Sequence, residues 1–386
     1  MSRRFARRIT ETSPKDFGMF ARAAGRGGDV IHLELGMPVE DTPLHVKEAT
    51  IEALRAGHVH YSDLQGLPKL RRALAAKLRR ENGIPVEADG VLVTNGLTQA
   101  SFAAFFAFLD PGDEVILLSP HYPQHAGKIE LAGARPVLAP LDAADRFSIK
   151  RELVAPRITA RTRMIALVNP CNPTGRVYSS DELMVLADLA QEHDLLVVAD
   201  EVYEHIVYEG AHVSIASLPG MAERTVTMSA FTKAYAMDGW RLGYLACDPT
   251  LIPGLMKVTT SEVTHVNTFV QHGGLAAVTG PREVLERMVA EDRTRRDLVV
   301  GRLNQMPGVH CPAPEGTIYA FPSIRETGLS ARAAAEAILE RADVAVEAGS
   351  FYGPEGEHHL RICFGAQRLD RLEEAMDRLA RFFNAL

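Results

Sequence analysis

The chain has 386 residues, of which 46% are hydrophobic and 24% charged, and it carries a net charge of −7 at neutral pH. That length allows two or three domains around a large buried core, and that composition excludes a disordered chain. The mild negative charge argues against nucleic acid as a partner and for a small molecule.

At the N-terminus stand Arg3, Arg4, Arg7 and Arg8, with no apolar stretch after them, so they read as a solvated basic arm or a first helix rather than a targeting peptide. Short apolar, β-branched runs then recur at Val91–Thr94, Glu114–Leu118, Met164–Val168, Leu195–Ala199, Thr225–Met228 and Leu242–Ala246. Most are separated by enough chain for a crossover helix, which predicts an α/β fold. One such helix is marked by Ser179 and Glu182 at capping-box spacing, followed by the apolar stripe Leu183, Leu186, Leu189 and Ala190. The last third reads differently. A long charged amphipathic helix is predicted over Arg282–Leu303, an alternating strand over His359–Phe364, and a closing helix whose apolar positions are Leu369, Leu372, Met376, Leu379 and Phe383. These patterns predict a large α/β domain over residues 44–280 and a smaller α+β domain from residues 281–386 together with an N-terminal arm, residues 1–43.

No run of about 18 apolar residues occurs, so no span of a membrane is predicted. Cys171, Cys247, Cys311 and Cys363 are scattered with no Cys-x-x-Cys pair. That pattern disfavours a disulfide framework and a thiolate zinc site, and it fits a reducing, cytoplasmic setting.

Polar groups stand at the ends of several predicted strands. In SAFTKAYAMDGWRLG, Lys233 follows a strand and precedes Arg241 by eight positions. An ammonium there is paired, shifted in pKa or used covalently, or it is a surface lysine on a loop. In LLVVADEVYEHIVY, Asp200 ends a continuous apolar strand, where α/β sheets place their ligands, and Tyr203 lies three residues on. MIALVNPCNPTGRVY ends a strand with Asn169, Pro170, Asn172, Pro173 and Gly175, a rigid turn that suits a fixed amide or a plain strand-to-helix connection. In VLVTNGLTQA, Gly96 and Thr98 open a helix whose free N–H groups favour a phosphate. Arg361, between Leu360 and Ile362, is either an edge-strand surface charge or an anion receptor.

In this order and at these separations, NPCNPTG, ADEVYE, SAFTK followed by GWRLG, and HLRICFG resemble the class I and II aminotransferases of pyridoxal 5′-phosphate (PLP) fold type I, from about Leu33 to the C-terminus. The resemblance implies a large domain with a mostly parallel seven-stranded sheet flanked by helices, plus the smaller α+β domain. It implies an enzyme that moves an amino group between an L-amino acid and a 2-oxo acid through a pyridoxamine phosphate form. Lys233 would hold PLP in a Schiff base and move the substrate's proton, and Asp200 would pair with the pyridine nitrogen. Asn172 and Tyr203 would hydrogen-bond the cofactor's phenolic oxygen. Tyr122, in SPHYPQH, would stack on the ring, or else be a core tyrosine. The phosphate would rest on the turn at Gly96, the amides of Leu97 and Thr98, the Thr98 hydroxyl and Arg241. Tyr61, in YSDLQGLPKLR, resembles the tyrosine that reaches the phosphate of a neighbouring subunit, which implies a homodimer with composite sites. The substrate's carboxylate would meet Arg361 beside Asn172, with the Gly36 backbone of LELGMP against the substrate.

The sequence departs from that pattern in places. Ala230 stands where many relatives carry a serine, Asp238 replaces a common threonine and is expected to face solvent, and Leu97 replaces a small residue where only a backbone N–H is needed. In one aspartate-specific subgroup, a lysine near the Thr98 position receives a second carboxylate. Threonine cannot, which leans away from a dedicated aspartate enzyme. His58, His60, His121 and His125 either shape the side-chain pocket or lie on the surface, and with no acidic or thiol companions they do not suggest a metal. Another PLP reaction, such as elimination, decarboxylation or cyclisation, is the main alternative, because fold and cofactor do not fix which bond breaks. A DNA-binding sensor would need a helix-turn-helix before Leu33, and a nicotinamide enzyme a G-x-G-x-x-G after the first strand; the sequence has neither.

Overall fold

Residues 5–12 and 18–386 are described by the computed structural model. Arg3 and Arg4 of the basic arm lie outside the described residues, whereas Arg7 and Arg8 fall in the short helix Arg7–Thr10.

A short strand β1 (Ile31–His32) precedes the main sheet. That sheet contains β2 (Val91–Thr94), β3 (Glu114–Ser119), β4 (Arg135–Pro140), β5 (Thr162–Val168), β6 (Leu196–Asp200), β7 (Thr225–Ala230) and β8 (Gly243–Ala246). Their spatial order is β2-β8-β7-β6-β5-β3-β4, seven strands in all. Every residue of β2, β3, β7 and β8 is buried, because helices cover both faces, and this is why the strands read as continuous apolar runs rather than alternating ones. The α/β class and the seven-stranded, mostly parallel sheet therefore agree with expectation.

Two features escaped the sequence reading. β4 is a seventh strand, and its sequence, RPVLAP, carries prolines at both Pro136 and Pro140. Proline has no N–H to give to a ladder, so it signals against a strand except at an edge. β4 is such an edge, pairing in parallel with β3 alone. The second feature is direction. β8 runs antiparallel to both β2 and β7, with Gly243 opposite Thr94 on one side and Ala230 on the other. The start of β8 is thereby brought to the edge of the sheet where the other strands end.

The crossover helix Ser180–Glu192 is closed at its N-terminus as the sequence indicates. Ser179 Oγ accepts from the Glu182 N–H at 3.2 Å, and a Glu182 carboxylate oxygen accepts from the Ser179 N–H at 2.9 Å. Leu183, Leu186, Leu189 and Ala190 are all buried under the sheet.

The C-terminal part holds β9 (Tyr319–Ala320), β10 (Val344–Ala345), β11 (Glu347–Ala348) and β12 (Leu360–Cys363). β12 is the middle strand of an antiparallel sheet ordered β11-β12-β9, and β1 pairs in parallel with β10. One core joins Met19, Ile31 and Leu33 to Leu303, Ile338, Leu372 and Phe383. The helices Arg282–Leu303 and Leu369–Asn384 supply much of its wall. Because β12 is central and buried, the reading of Arg361 as an edge-strand surface charge does not hold.

Replacing Ser179 with alanine removes one acceptor of the capping box and leaves the sheet edge untouched. We expect a loss of about 1 kcal/mol of stability, read as a lower urea midpoint at unchanged m-value.

Candidate active site

The carboxyl ends of β2, β3, β5, β6 and β7, and the start of β8, share one edge of the sheet, and each brings a polar side chain to it. Asp200 is the last residue of β6, the central strand, and is 3% exposed. One of its oxygens accepts the Val202 N–H at 3.2 Å, and the other lies 3.2 Å from His125 Nε2. His125 is itself buried in the helix Pro123–Leu131, and its Nδ1 has no partner among the described residues. Burial pushes the imidazole below its ordinary pKa, while the Asp200 carboxylate pulls the other way. The histidine thus holds one carboxylate oxygen from the Pro123–Leu131 helix.

Lys233 lies in the turn after β7 and is half-buried, so the reading of it as a free surface lysine fails. Its Nζ donates to the Gly36 carbonyl. Burial lowers its pKa from 10.5 to about 8, with the charges of Cys363, Asp238, Arg361 and Asp200 adding smaller effects of both signs. Gly36 has to be glycine, since a Cβ there would stand 2.0 Å from the Tyr319 hydroxyl. That hydroxyl is 2.8 Å from the hydroxyl of Tyr203, which is buried.

Arg361 completes this side. It is 6% exposed, with its guanidinium carbon 4.3 Å from the Tyr319 ring centre and 4.9 Å from that of Tyr352. Nη1 donates to Asn172 Oδ1 at 3.2 Å, Nη2 to the Glu34 carbonyl, and Nε to nothing among the described residues. Glu347 stands opposite it in the strand register, yet the Glu347 carboxylate accepts the amides of Met19 and Ala348 instead. Among the described residues, then, Arg361 is a buried cation held by neutral groups. Such a charge is expensive unless an anion arrives to meet it.

At the other end, the helix Gly96–Phe108 opens with no side chain capping its first amides. Gly96 has φ +75°, and a Cβ there would lie 2.7 Å from Arg241 Nη2; a Cβ on Gly243 would lie 2.9 Å from the Leu97 nitrogen. Exposed Thr98, Leu97 and Arg241 thus border one concave, cationic turn. Arg241 Nη1 donates to the Asp238 carbonyl at 2.7 Å. Asp238 is half-buried rather than solvent-facing, and its backbone steadies the guanidinium. Tyr122 forms the N-cap residue of the His125 helix and presents its ring at 86° to that imidazole, 5.2 Å between centres.

Residues 28–379 match the family described as aminotransferase class I and II. The chain is 41% identical to an aspartate aminotransferase of Pyrococcus abyssi, over 94% of this chain and 93% of that one. It is 39% identical to aromatic-amino-acid aminotransferase 2 of Thermococcus litoralis, again over 94% and 93%. It also superimposes on the solved aspartate aminotransferase of Thermus thermophilus with maleate, with a TM-score of 0.93 at 36% identity over 98% and 99% of the two chains. The chain belongs to the class I and II aminotransferases.

Within this aminotransferase, Gly36, Gly96, Leu97, Thr98, Tyr122, Asn172, Asp200, Tyr203, Lys233, Arg241 and Arg361 stand along that edge of the sheet and the C-terminal part facing it. Tyr61 does not join them within one chain. It is 84% exposed, and its ring meets His265 at 5.0 Å. The four histidines separate by role. His58 stacks on His272 at 4.4 Å, His60 is exposed, His121 sits beside Tyr122 with burial pressing its pKa down to about 4, and only His125 touches Asp200. Sequence reasoning singled out neither His125 as the aspartate's partner nor Tyr319. A signal existed for the first, three residues after Tyr122 in SPHYPQH; TIYAF offers none for the second. Among the described residues no cluster could hold a metal, and no helix is long and apolar enough to cross a membrane.

The neutral amine is the nucleophile, so a depressed pKa makes Lys233 reactive at lower pH. In the cofactor-free protein, reductive methylation of Lys233 followed by mass spectrometry should be half-maximal near pH 8, against about 10.4 for an ordinary lysine.

Proposed function

We propose that this aminotransferase uses PLP, bonded to Lys233, to move the amino group of an L-amino acid to a 2-oxo acid. One juxtaposition carries the reading: a half-buried amine of lowered pKa shares a site with a buried guanidinium that no carboxylate among the described residues neutralises. When bound, PLP supplies an aldehyde that condenses with amines and a cationic ring that draws electrons from the substrate's Cα.

The residues fit such a group. Buried Asp200, braced by His125, would hold the proton on the ring nitrogen. Tyr203 and Asn172 would donate to the ring's phenolic oxygen, and Tyr122 would cover one face of the ring. The uncapped helix start at Gly96, with Thr98 and Arg241, suits a phosphate dianion, and the missing Cβ of Gly96 is what lets Arg241 approach. Lys233, whose amine burial makes easier to deprotonate, would take the proton from the substrate's Cα and deliver it to the carbon that was the cofactor's aldehyde. Arg361 would bind the substrate's carboxylate, and that anion would repay the cost of keeping the guanidinium buried.

We further propose a homodimer in which Tyr61 reaches the partner's phosphate site. Its exposure, together with that of Leu44, Ile51, Leu54, Val59 and Leu64, supports an apolar face awaiting a second copy. The division into residues 44–280 and a smaller unit of 1–43 with 281–386 is likewise a proposal, supported by the single core that ties Met19 and Leu33 to the C-terminal helices. Four buried, unpaired thiols suit a reducing cytoplasm.

Incubating the purified enzyme with single amino acids should convert the bound cofactor to its pyridoxamine form and release the matching 2-oxo acid. Release of ammonia or carbon dioxide instead would indicate a different PLP reaction. Lys233→Ala should abolish the visible absorbance of the bound cofactor, and persistence of that band would move the attachment elsewhere. Arg361→Leu should lower kcat/KM for amino donors by about 2–4 kcal/mol in transition-state terms, chiefly through KM.

A further inference from the structure

Away from the Lys233 site, a cavity of about 410 Å³ opens between the loops of the large sheet and the C-terminal part. Phe147, Thr174 and Arg176 line one side, and Pro312, Phe321 and Arg325 the other. Its wall is aromatic: His359 stacks on Phe321 with centroids 4.9 Å apart and planes 8° from parallel, and Phe147 meets His359 edge-on at 5.7 Å.

The charges in the cavity are unequally matched. Asp142 is occupied in accepting the Ala144 amide at 2.8 Å. Glu315 is held by Arg146 at 2.9 Å and Arg176 at 3.0 Å, and it also accepts the Val177 amide. Arg325 is exposed at the rim and forms no ion pair among the described residues. Arg176 Nε is buried and donates to nothing among those residues. The volume falls within the range of small-molecule pockets. An aromatic wall beside an unpaired guanidinium is complementary to an aromatic body that carries one anionic group, since rings pack on rings face-on or edge-on and the guanidinium fork binds a carboxylate in two places.

We propose that this cavity is a second ligand site, for a small aromatic carboxylate, separate from the amino-acid site at Arg361. Its walls are chain neighbours of the catalytic machinery. Thr174 and Gly175 follow Asn172, and His359 precedes Arg361 by two residues. The amides of Glu315 and Gly316 both donate to the Gly175 carbonyl at 2.9 Å, joining the two sides of the cavity directly behind that machinery. A ligand here therefore acts on the segments that carry Asn172 and Arg361, and it shifts KM for the amino acid more than kcat.

Titrating the cofactor-loaded enzyme with 2-naphthoate, followed by the probe's fluorescence, tests the site. Saturable binding is expected, weakened roughly tenfold or more by Arg325→Glu, recovered in part by Arg325→Lys and unchanged by Arg361→Lys. Arg325→Glu should keep wild-type activity without the probe, because Arg325 lies outside the amino-acid site. Three results overturn the proposal: no saturable binding at millimolar naphthoate, equal binding by Arg325→Glu, or loss of binding in Arg361→Lys. Simple competition by an amino donor, in which the apparent Kd for naphthoate rises in proportion to donor concentration without limit, would have the same force as the third, whereas a rise that levels off is the reciprocal coupling expected of two sites.

Discussion

Arg361 is a permanent cation withdrawn from water and held by a carbonyl, an amide oxygen and two phenol rings, none of which carries a full negative charge. Taking a guanidinium out of solvent costs several kcal/mol, and a protein that does so without an internal carboxylate keeps a standing attraction for an external one. Much of the nearby structure follows from that choice. Tyr319 lies under the guanidinium and also touches Tyr203, Gly36 has no side chain because Tyr319 occupies the space, and the Gly36 carbonyl is then free to receive Lys233. Amine, phenols and guanidinium form one packed unit, in which moving any member disturbs the others.

The opposite wall obeys a different rule. Parallel strands all deliver their carboxyl ends to one edge, so a sheet of this kind collects side chains that are far apart in sequence. Asp200 arrives there from the middle strand, where burial is greatest and a carboxylate's field is least screened by water. The reversed strand β8 adds what a wholly parallel sheet would not: its first residues, and Arg241 just before them, reach the same edge. A guanidinium and a helix N-terminus then meet at Gly96.

Much of this was legible in the sequence because each signal is local. An apolar run ending in one polar residue, a capping box, or a glycine before a helix records the needs of a few neighbouring backbone groups, and the strand ends bearing Asp200, Asn172 and Gly96 were found in this way. β4 was missed because its prolines spoil the strand pattern and are tolerated only at an edge, and edge position is a property of the whole sheet. The pairing of His125 with Asp200, and Tyr319 altogether, were missed for a similar reason: the partners Asp200 and Tyr203 are 75 and 116 residues away in the chain.

By itself, then, the sequence determined the α/β class, the helices Gly96–Phe108, Ser180–Glu192, Arg282–Leu303 and Leu369–Asn384, most strands of the large sheet, and which residue types stand at the strand ends, since these follow from periodicity and short-range hydrogen bonding. The tertiary structure alone decided that Arg361 is buried in a central strand without a carboxylate partner among the described residues, that β8 runs backwards, and that Lys233 loses enough water to shift its pKa. Burial and the pairing of charges are set by what surrounds a group in three dimensions. No short stretch of chain contains that information.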